Sequence, residues 1–508
     1  MPDAPGWQPE LDQKAIREAQ AEEMGGADKV ARQKARGKLT ARERIEGLLD
    51  SDSFREIGKL AGSGEYDADG KFIRSSASNF IYGQGEIDGR PVVASADDFT
   101  VRGGASEAAI YRKFVHAEQM ASEFGLPLIR MIDGTGGGGS VKSLEAMGYT
   151  YVPAVPGFEV INANLKRVPV VSLALGPCAG LGAARVVASH YSVMVKGLSQ
   201  IFTAGPAIVA PLGETLDKEG LGGSSIHARN GVVDDEVESE AKALERARAF
   251  LSFLPSAVGE PLRQIETTDA PKRTEDSLLS IVPRDRSRAY SMRTILRSVM
   301  DHDSLFEIGR KWGRAAITGL ARLDGWPVAV IASDPSYLGG SWTADTAEKV
   351  KRHVRLAELF RLPVIHLVDN PGFMIGLEAE RAATIRRGVE TMGAIYDATV
   401  PWASVIVRKA YGVAGAAMSD HTRFQYRAAW PSGDWGSLPI EGGVEVAYQS
   451  ELAASADAEV ELAAIKARLG EVTSPFRTAE RYGIEDIIDP RETRPFLTNF
   501  VSLAMRAQ

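Results

Sequence analysis

Short apolar runs alternate with longer amphipathic ones along most of the chain. PVVASA (91–96), LPLIRMID (126–133) and PVVSLALG (169–176) are rich in branched residues and of strand length. Between the first two, EAAIYRKFVHAEQMASEF (107–124) repeats apolar positions at helical spacing and predicts a helix. The series then returns as PVAVIAS (327–333), ADTAEKVKRHVRLAELF (344–360), LPVIHLVD (362–369) and WASVIVRK (402–409). In each half a strand leads to a Gly-Gly turn, a helix, a strand and a glycine loop. Another helix, a third strand and a small-residue helix complete it. Such alternation predicts parallel sheets covered by helices, with functional loops beyond the strand C-termini. The expected class is α/β in both halves.

The recurrence is an internal duplication. Asp88-Gly89 and Asp324-Gly325 lie 236 positions apart (324 − 88), as do Gly103-Gly104 and Gly339-Gly340, Lys113 and Lys349, and Asp133 and Asp369. Further on, VPVV (168–171) matches VPWA (400–403) at an offset of 232, which sets Gly180 on Gly412. A shift held over so long a stretch marks a duplicated domain, not a solenoid unit. The expected division is 1–265, with an N-terminal helical extension, and 266–508, with the charged stretch 265–290 as linker. In the extension, Thr40 and Glu43 have capping-box spacing, so a helix should begin near Ala41. The basic run Lys29 to Arg44 reads as a solvated helix face.

Composition changes this picture little. Of 508 residues, 44% are apolar and 25% charged, as in an ordinary globular protein. A net charge of −8 argues against general nucleic-acid binding. The single cysteine, Cys178, excludes an intrachain disulfide, suits a reducing cytoplasm and reads as a small buried residue. The acidic, polar start has no secretory form, and the most apolar region, 168–189, is interrupted by prolines, glycines and Arg185. No membrane span is expected.

The run MIDGTGGGGSVKS (131–143) is the most glycine-rich of the chain. It is not a P-loop, because Ser140 stands where the phosphate-reaching lysine belongs. Gly134, Gly136 and Gly139 fit a dinucleotide fingerprint, but the run sits mid-domain and its copy, DNPGFMIG from Asp369, lacks the pattern. A strand-end loop at which backbone approaches a ligand closely remains. A second pair of turns is more informative. LGPCAGLGAARVV places Gly176, Ala179, Gly180 and Gly182 where a strand passes into a helix, and RKAYGVAGAAM does the same with Gly412, Ala414 and Gly415. Turns without bulk expose first-turn N–H groups that can hold an oxyanion. There is no H-E-x-x-H, C-x-x-C or G-x-S-x-G, and the seven histidines include no i, i+4 pair, so no metal site is expected. Two oxyanion turns without an evident protein base suggest that a bound reactant supplies the base.

GPCAG, SVMVKGLSQIFTAGP, LGGSSIHARNGVVD, VDNPGF, ATVPWASVIVRKAYG and AWP occur in collinear order, after GKLTARERI near the start. From about residue 30 to the end, the chain resembles the carboxyltransferase (beta) subunits of biotin-dependent acyl-CoA carboxylases. The resemblance implies two tandem crotonase-like (ClpP/crotonase) domains in a hexamer, a trimer of dimers, with active sites between the N-half of one subunit and the C-half of another. It implies coenzyme A thioester on the N-half, bordered by Gly136, Gly137, Gly138, Ala179 and Ala416. The N–H groups of Gly180 and Leu181 would hold the thioester oxygen, and those of Val413 and Ala414 the biotin ureido oxygen, beside Tyr411 and Gly412. Carboxybiotin would release CO2 and its biotin anion would take the α-proton before the thioester enolate attacks CO2. The chain has no Met-Lys-Met for biotin attachment, so biotin carboxylase and a biotin carboxyl carrier subunit are the expected partners. Leu181 and Val413 replace family glycines, and Ala416 replaces a substrate-discriminating aspartate, so a branched, longer or otherwise unusual acyl group is expected. The alternatives are a decarboxylase subunit running the transfer backwards, a crotonase-type hydratase or isomerase, and a non-catalytic CoA-binding scaffold.

Overall fold

The computed structural model describes residues 6–105, 108, 110–134, 144–145, 147–152, 154–155 and 157–507. The chain divides into two compact units, Met1–Glu260 and Pro261–Gln508.

The first unit is built on a seven-stranded sheet. Its order is Arg55–Glu56, Phe80–Ile87, Arg90–Asp97, Leu128–Ile132, Val170–Ala174, Tyr191–Val195 and Asp235–Val237. The first two junctions are antiparallel and the rest parallel. Phe80–Ile87 and Arg90–Asp97 form a hairpin around Asp88-Gly89, whose φ values of 52° and 72° suit a primed turn. The helix Tyr111–Phe124 packs its apolar stripe on the sheet. It begins after Ile110, four residues later than its periodicity suggests.

The second unit repeats the plan as Phe306–Ile308, Ala316–Leu323, Trp326–Ser333, Val364–Asn370, Trp402–Tyr411 and Tyr426–Ala429. Register is repeated with it. Val93 pairs with Leu128 and Leu128 with Val170, while Ala329 pairs with Val364 and Val364 with Trp402. Asp324-Gly325 turns the second hairpin at φ 53° and 75°. On one face of the central strands Ile317, Val330, Ile365, Leu367 and Val405 are fully buried with Leu497 of the helix Thr493–Arg506, and on the other Val368, Ile406 and Ala410 form a second cluster. Each such branched side chain contributes about 1.5–3 kcal/mol through burial.

Two expectations change. The helix Ala41–Leu48 starts where predicted, with both capping-box bonds between Thr40 and Glu43. The basic run Lys29 to Arg44 does not all face solvent, however. Arg44 is fully buried and Lys38 is 7% exposed, because a buried carboxylate, Asp133, draws both inward. The stretch 265–290 is not a free linker either. Arg273 donates to the carbonyls of Ser298 and Met300, Arg494 donates to Ala270, and Leu278 and Tyr290 join the second core. No described helix is long and apolar enough to cross a membrane.

Candidate functional site

In the first unit, the strand Leu128–Ile132 ends at Asp133 and its parallel neighbour Val170–Ala174 ends at Leu175-Gly176. Asp133 is fully buried, with its Oδ2 2.5 Å from Lys38 Nζ and 2.9 Å from Arg44 Nη1. Arg44 also donates to the Leu175 carbonyl at 3.1 Å and to Glu240 at 2.6 Å. Burial depresses the Lys38 pKa, against the pull of Asp133. Burial also opposes the charge on Arg44, but Asp133 and Glu240 outweigh it and hold the guanidinium protonated. Gly176 is required here, since a Cβ would stand 1.8 Å from Asp133 Oδ1 and 2.6 Å from Lys38 Nζ.

The chain then makes a short strand, Pro177–Ala179, parallel to Gln200–Phe202. Cys178 in it is buried, with its thiol donating to the Gly176 carbonyl at 3.3 Å. Burial pushes that thiol up, away from the thiolate a nucleophile needs. Gly180, at φ 55°, turns the chain into the helix Leu181–Val187. Gly180 is exposed, while Ala179 and Leu181 are half-buried. First-turn N–H groups of a helix have no acceptor within it, so this turn presents donors outward.

The second unit has the same turn in a different setting. Asp369 is fully buried and accepts from Tyr290 Oη at 2.8 Å, Arg408 Nε at 3.1 Å and the Lys409 N–H at 3.0 Å. Burial and Asp369 push the Tyr290 phenol up, which keeps it a donor. The strand Trp402–Tyr411 pairs at its end with Asp434–Gly436, as Pro177–Ala179 pairs with Gln200–Phe202. Gly412, at φ 58°, then opens the helix Gly412–Ala416 after buried Tyr411. Val413 is 49% exposed and Ala414 is 2% exposed. Ala416 is half-buried, and its carbonyl lies 2.8 Å from His421 Nε2.

The structure therefore brings Ala179, Gly180 and Leu181 together at one turn, and Tyr411, Gly412, Val413, Ala414 and Ala416 at the other. Gly136, Gly137 and Gly138 lie outside the described residues. Among the described residues no cluster of three or more His, Cys, Asp or Glu could hold a metal. Lys38, Arg44, Tyr290 and Arg408 were not singled out by sequence reasoning. The repeated aspartate, Asp133 and Asp369, was the signal for them, because a buried carboxylate needs a cation wherever it occurs.

Residues 32–508 match the family described as the carboxyl transferase domain. The carboxyltransferase subunit of propionyl-CoA carboxylase from Haloferax mediterranei is 32% identical over 492 residues, covering 94% of this chain and 93% of that one. The methylmalonyl-CoA decarboxylase subunit alpha of Veillonella parvula is 32% identical over 487 residues, covering 95% and 93%. A crystal structure of transcarboxylase 12S, reported as a hexamer with methylmalonyl-coenzyme A and methylmalonic acid bound, superposes with a TM-score of 0.86. It is 28% identical and covers 98% of this chain and 96% of its own.

Proposed function

The chain belongs to the carboxyl transferase family, and from that premise we propose that it is the carboxyltransferase subunit of a biotin-dependent acyl-CoA carboxylase. Its fold is the duplicated crotonase-like α/β fold of that family. It transfers a carboxyl group from biotin on a partner polypeptide to the α-carbon, or its vinylogous equivalent, of an acyl-CoA.

The observation that carries this reading is the repeated strand-to-helix turn, with Gly180 and Gly412 at φ 55° and 58°. Carboxyl transfer between two carriers develops negative charge on two oxygens, one on the thioester and one on the ureido group. A hydratase needs only one such hole. We assign the Gly180 and Leu181 N–H groups to the thioester oxygen and those of Val413 and Ala414 to the ureido oxygen. Tyr411 and Gly412 border biotin, and Ala179 and Ala416 border the acyl group. The second turn leaves room for a ureido group, since no side chain larger than valine occurs from Gly412 to Ala416. Bound carboxybiotin supplies the carboxyl group and, once it has left, the base. The turns hold charge as it develops, each donor contributing about 3–4 kcal/mol of transition-state stabilisation. Gly136, Gly137 and Gly138 keep the substrate-contact role that the resemblance implies.

The same proposal includes a homohexamer, after the assembly reported for transcarboxylase 12S. Its partners are a biotin carboxylase and a biotin carboxyl carrier. A cytoplasmic setting suits its unpaired, buried Cys178. The decarboxylase relative favours one second reading, in which the same turns pass a carboxyl group from a carboxyacyl-CoA to biotin.

Native purification with streptavidin probing of every co-purifying polypeptide tests the proposal. A stoichiometric biotinylated partner is expected. Coupling of that complex to ATP supports the carboxylase, and coupling to a membrane sodium pump the decarboxylase. An intact assembly without a biotin protein, and no carboxyl transfer to free biotin, would sink both.

A further inference from the structure

The strand Val364–Asn370 ends on a side chain that the duplication does not repeat. Asn370 stands 236 positions beyond Gly134 (370 − 134) and is 2% exposed. Its Nδ2 donates to the Ala414 carbonyl at 2.9 Å, and its Oδ1 accepts the Gly372 N–H at 2.9 Å. The two bonds settle the amide orientation, since only the NH2 end can serve a carbonyl and only the oxygen an N–H. The helix Gly412–Ala416 is too short to satisfy its own carbonyls. Val413 bonds the Ala417 N–H, but the helix ends before the residue that would serve Ala414. The Asn370 amide takes that place.

We propose that Asn370 is a positioning residue for the second turn. By tying the Ala414 carbonyl to the 370–372 loop, it holds the Gly412–Ala416 segment in the orientation that presents the Val413 and Ala414 N–H groups to the ureido oxygen. Hydrogen bonds weaken steeply once donors turn away, so a released segment loses strength at the oxyanion without losing a donor. The proposal rests on the reading of this turn as the biotin side.

Asn370→Asp separates positioning from loop structure. An aspartate still accepts the Gly372 N–H but has no hydrogen for Ala414. Asn370→Asp and Asn370→Ala in the full chain are compared by hydrogen exchange of the Ala417 amide, which bonds the Val413 carbonyl, by acyl-CoA binding, and by carboxyl transfer to free biotin from methylmalonyl-CoA, malonyl-CoA and longer or branched carboxyacyl-CoA thioesters. Exchange at Ala417 is expected to rise about tenfold in both variants relative to the rest of the second unit, with the cooperative thermal transition retained. The kcat/KM for biotin is expected to fall about 10- to 100-fold, with acyl-CoA binding unchanged. Should either variant lose its cooperative transition, Asn370→Ser, which keeps an acceptor for Gly372 but is too short for Ala414, replaces it. Wild-type exchange and wild-type biotin kinetics in Asn370→Asp would overturn the inference. Absence of biotin carboxylation by the wild-type chain would instead count against the functional reading, and the exchange data would still decide whether Asn370 holds the turn.

Discussion

Gly176 and Arg408 occupy the same place in the duplication, 232 positions apart (408 − 176), each at the strand end beside a buried aspartate. In the second unit Arg408 itself neutralises Asp369, its Nη2 3.0 Å away. In the first unit Gly176 leaves that space open, and Lys38 and Arg44 of the N-terminal extension enter it to pair with Asp133. The extension thus supplies a charge that the second copy carries on its own strand. Arg408→Ala should cost about 3–5 kcal/mol by leaving Asp369 charged and buried. Gly176→Ala, with its Cβ 1.8 Å from Asp133 Oδ1, should be at least as damaging. Denaturant midpoints measure both, and an unshifted Arg408→Ala would show that Asp369 does not depend on this partner.

Leu181 is the first residue of its helix, where proline is tolerated and its missing N–H breaks no intrahelical bond. Leu181→Pro should therefore delete one of the donors proposed for the thioester oxygen while sparing the fold. A kcat loss of about 10²–10³-fold is expected in carboxyl transfer. Full activity in a folded variant would remove Leu181 from the site.

The proposed place of Ala416 beside the acyl group is tested with a thioester panel. A panel of acyl-CoA thioesters should show preference for a branched, longer or otherwise unusual acyl group over acetyl- and propionyl-CoA. Ala416→Asp should move that preference by roughly tenfold, in line with about 1–3 kcal/mol per pocket contact. Clear wild-type preference for acetyl- or propionyl-CoA would reject the expectation.

His366 lies fully inside its strand, with Nδ1 3.2 Å from the Met418 carbonyl, and burial pushes its pKa down to about 4. Between that value and the unfolded value of about 6.5, the unfolded chain binds more protons, so stability falls as the pH drops through this window. His366→Asn should flatten the decline in thermal midpoint between pH 6.5 and 4. Identical pH profiles would contradict this.

Lys113 behaves in the same sense at higher pH. It is 7% exposed, 3.5 Å from Ser78 Oγ, and burial depresses its pKa to about 8 against the attraction of Glu56. The folded state holds fewer protons between about 8 and the unfolded value of about 10.4, so stability should rise with pH across that range. The advantage of Lys113→Met over wild type should accordingly shrink on going from pH 8 to 10 in paired melts.

The repeat was legible because it lies in the chain itself. Asp88-Gly89 and Asp324-Gly325, with their identical spacing from the strands that follow, carry turn chemistry and register together. The same holds for Gly180, whose φ of 55° with ψ of −124° only a residue without Cβ adopts cheaply, and for its repeat Gly412 at φ 58°. Class, duplication and the two turns follow from such local requirements.

Partnership at the sites was not legible. Lys38 and Arg44 read as surface charge by sequence neighbourhood alone, yet Asp133, nearly a hundred residues later, brings them into the core. Asn370 read only as part of the copy of the glycine run, DNPGFMIG, and its bond to Ala414 depends on two parallel strands ending side by side. Backbone propensity and apolar period act over a few residues, so the sequence by itself determined the elements, their order and the turns between them. Compensation of a buried charge or an orphan carbonyl acts between strand ends distant in sequence, and only the tertiary structure decided which residue supplies it.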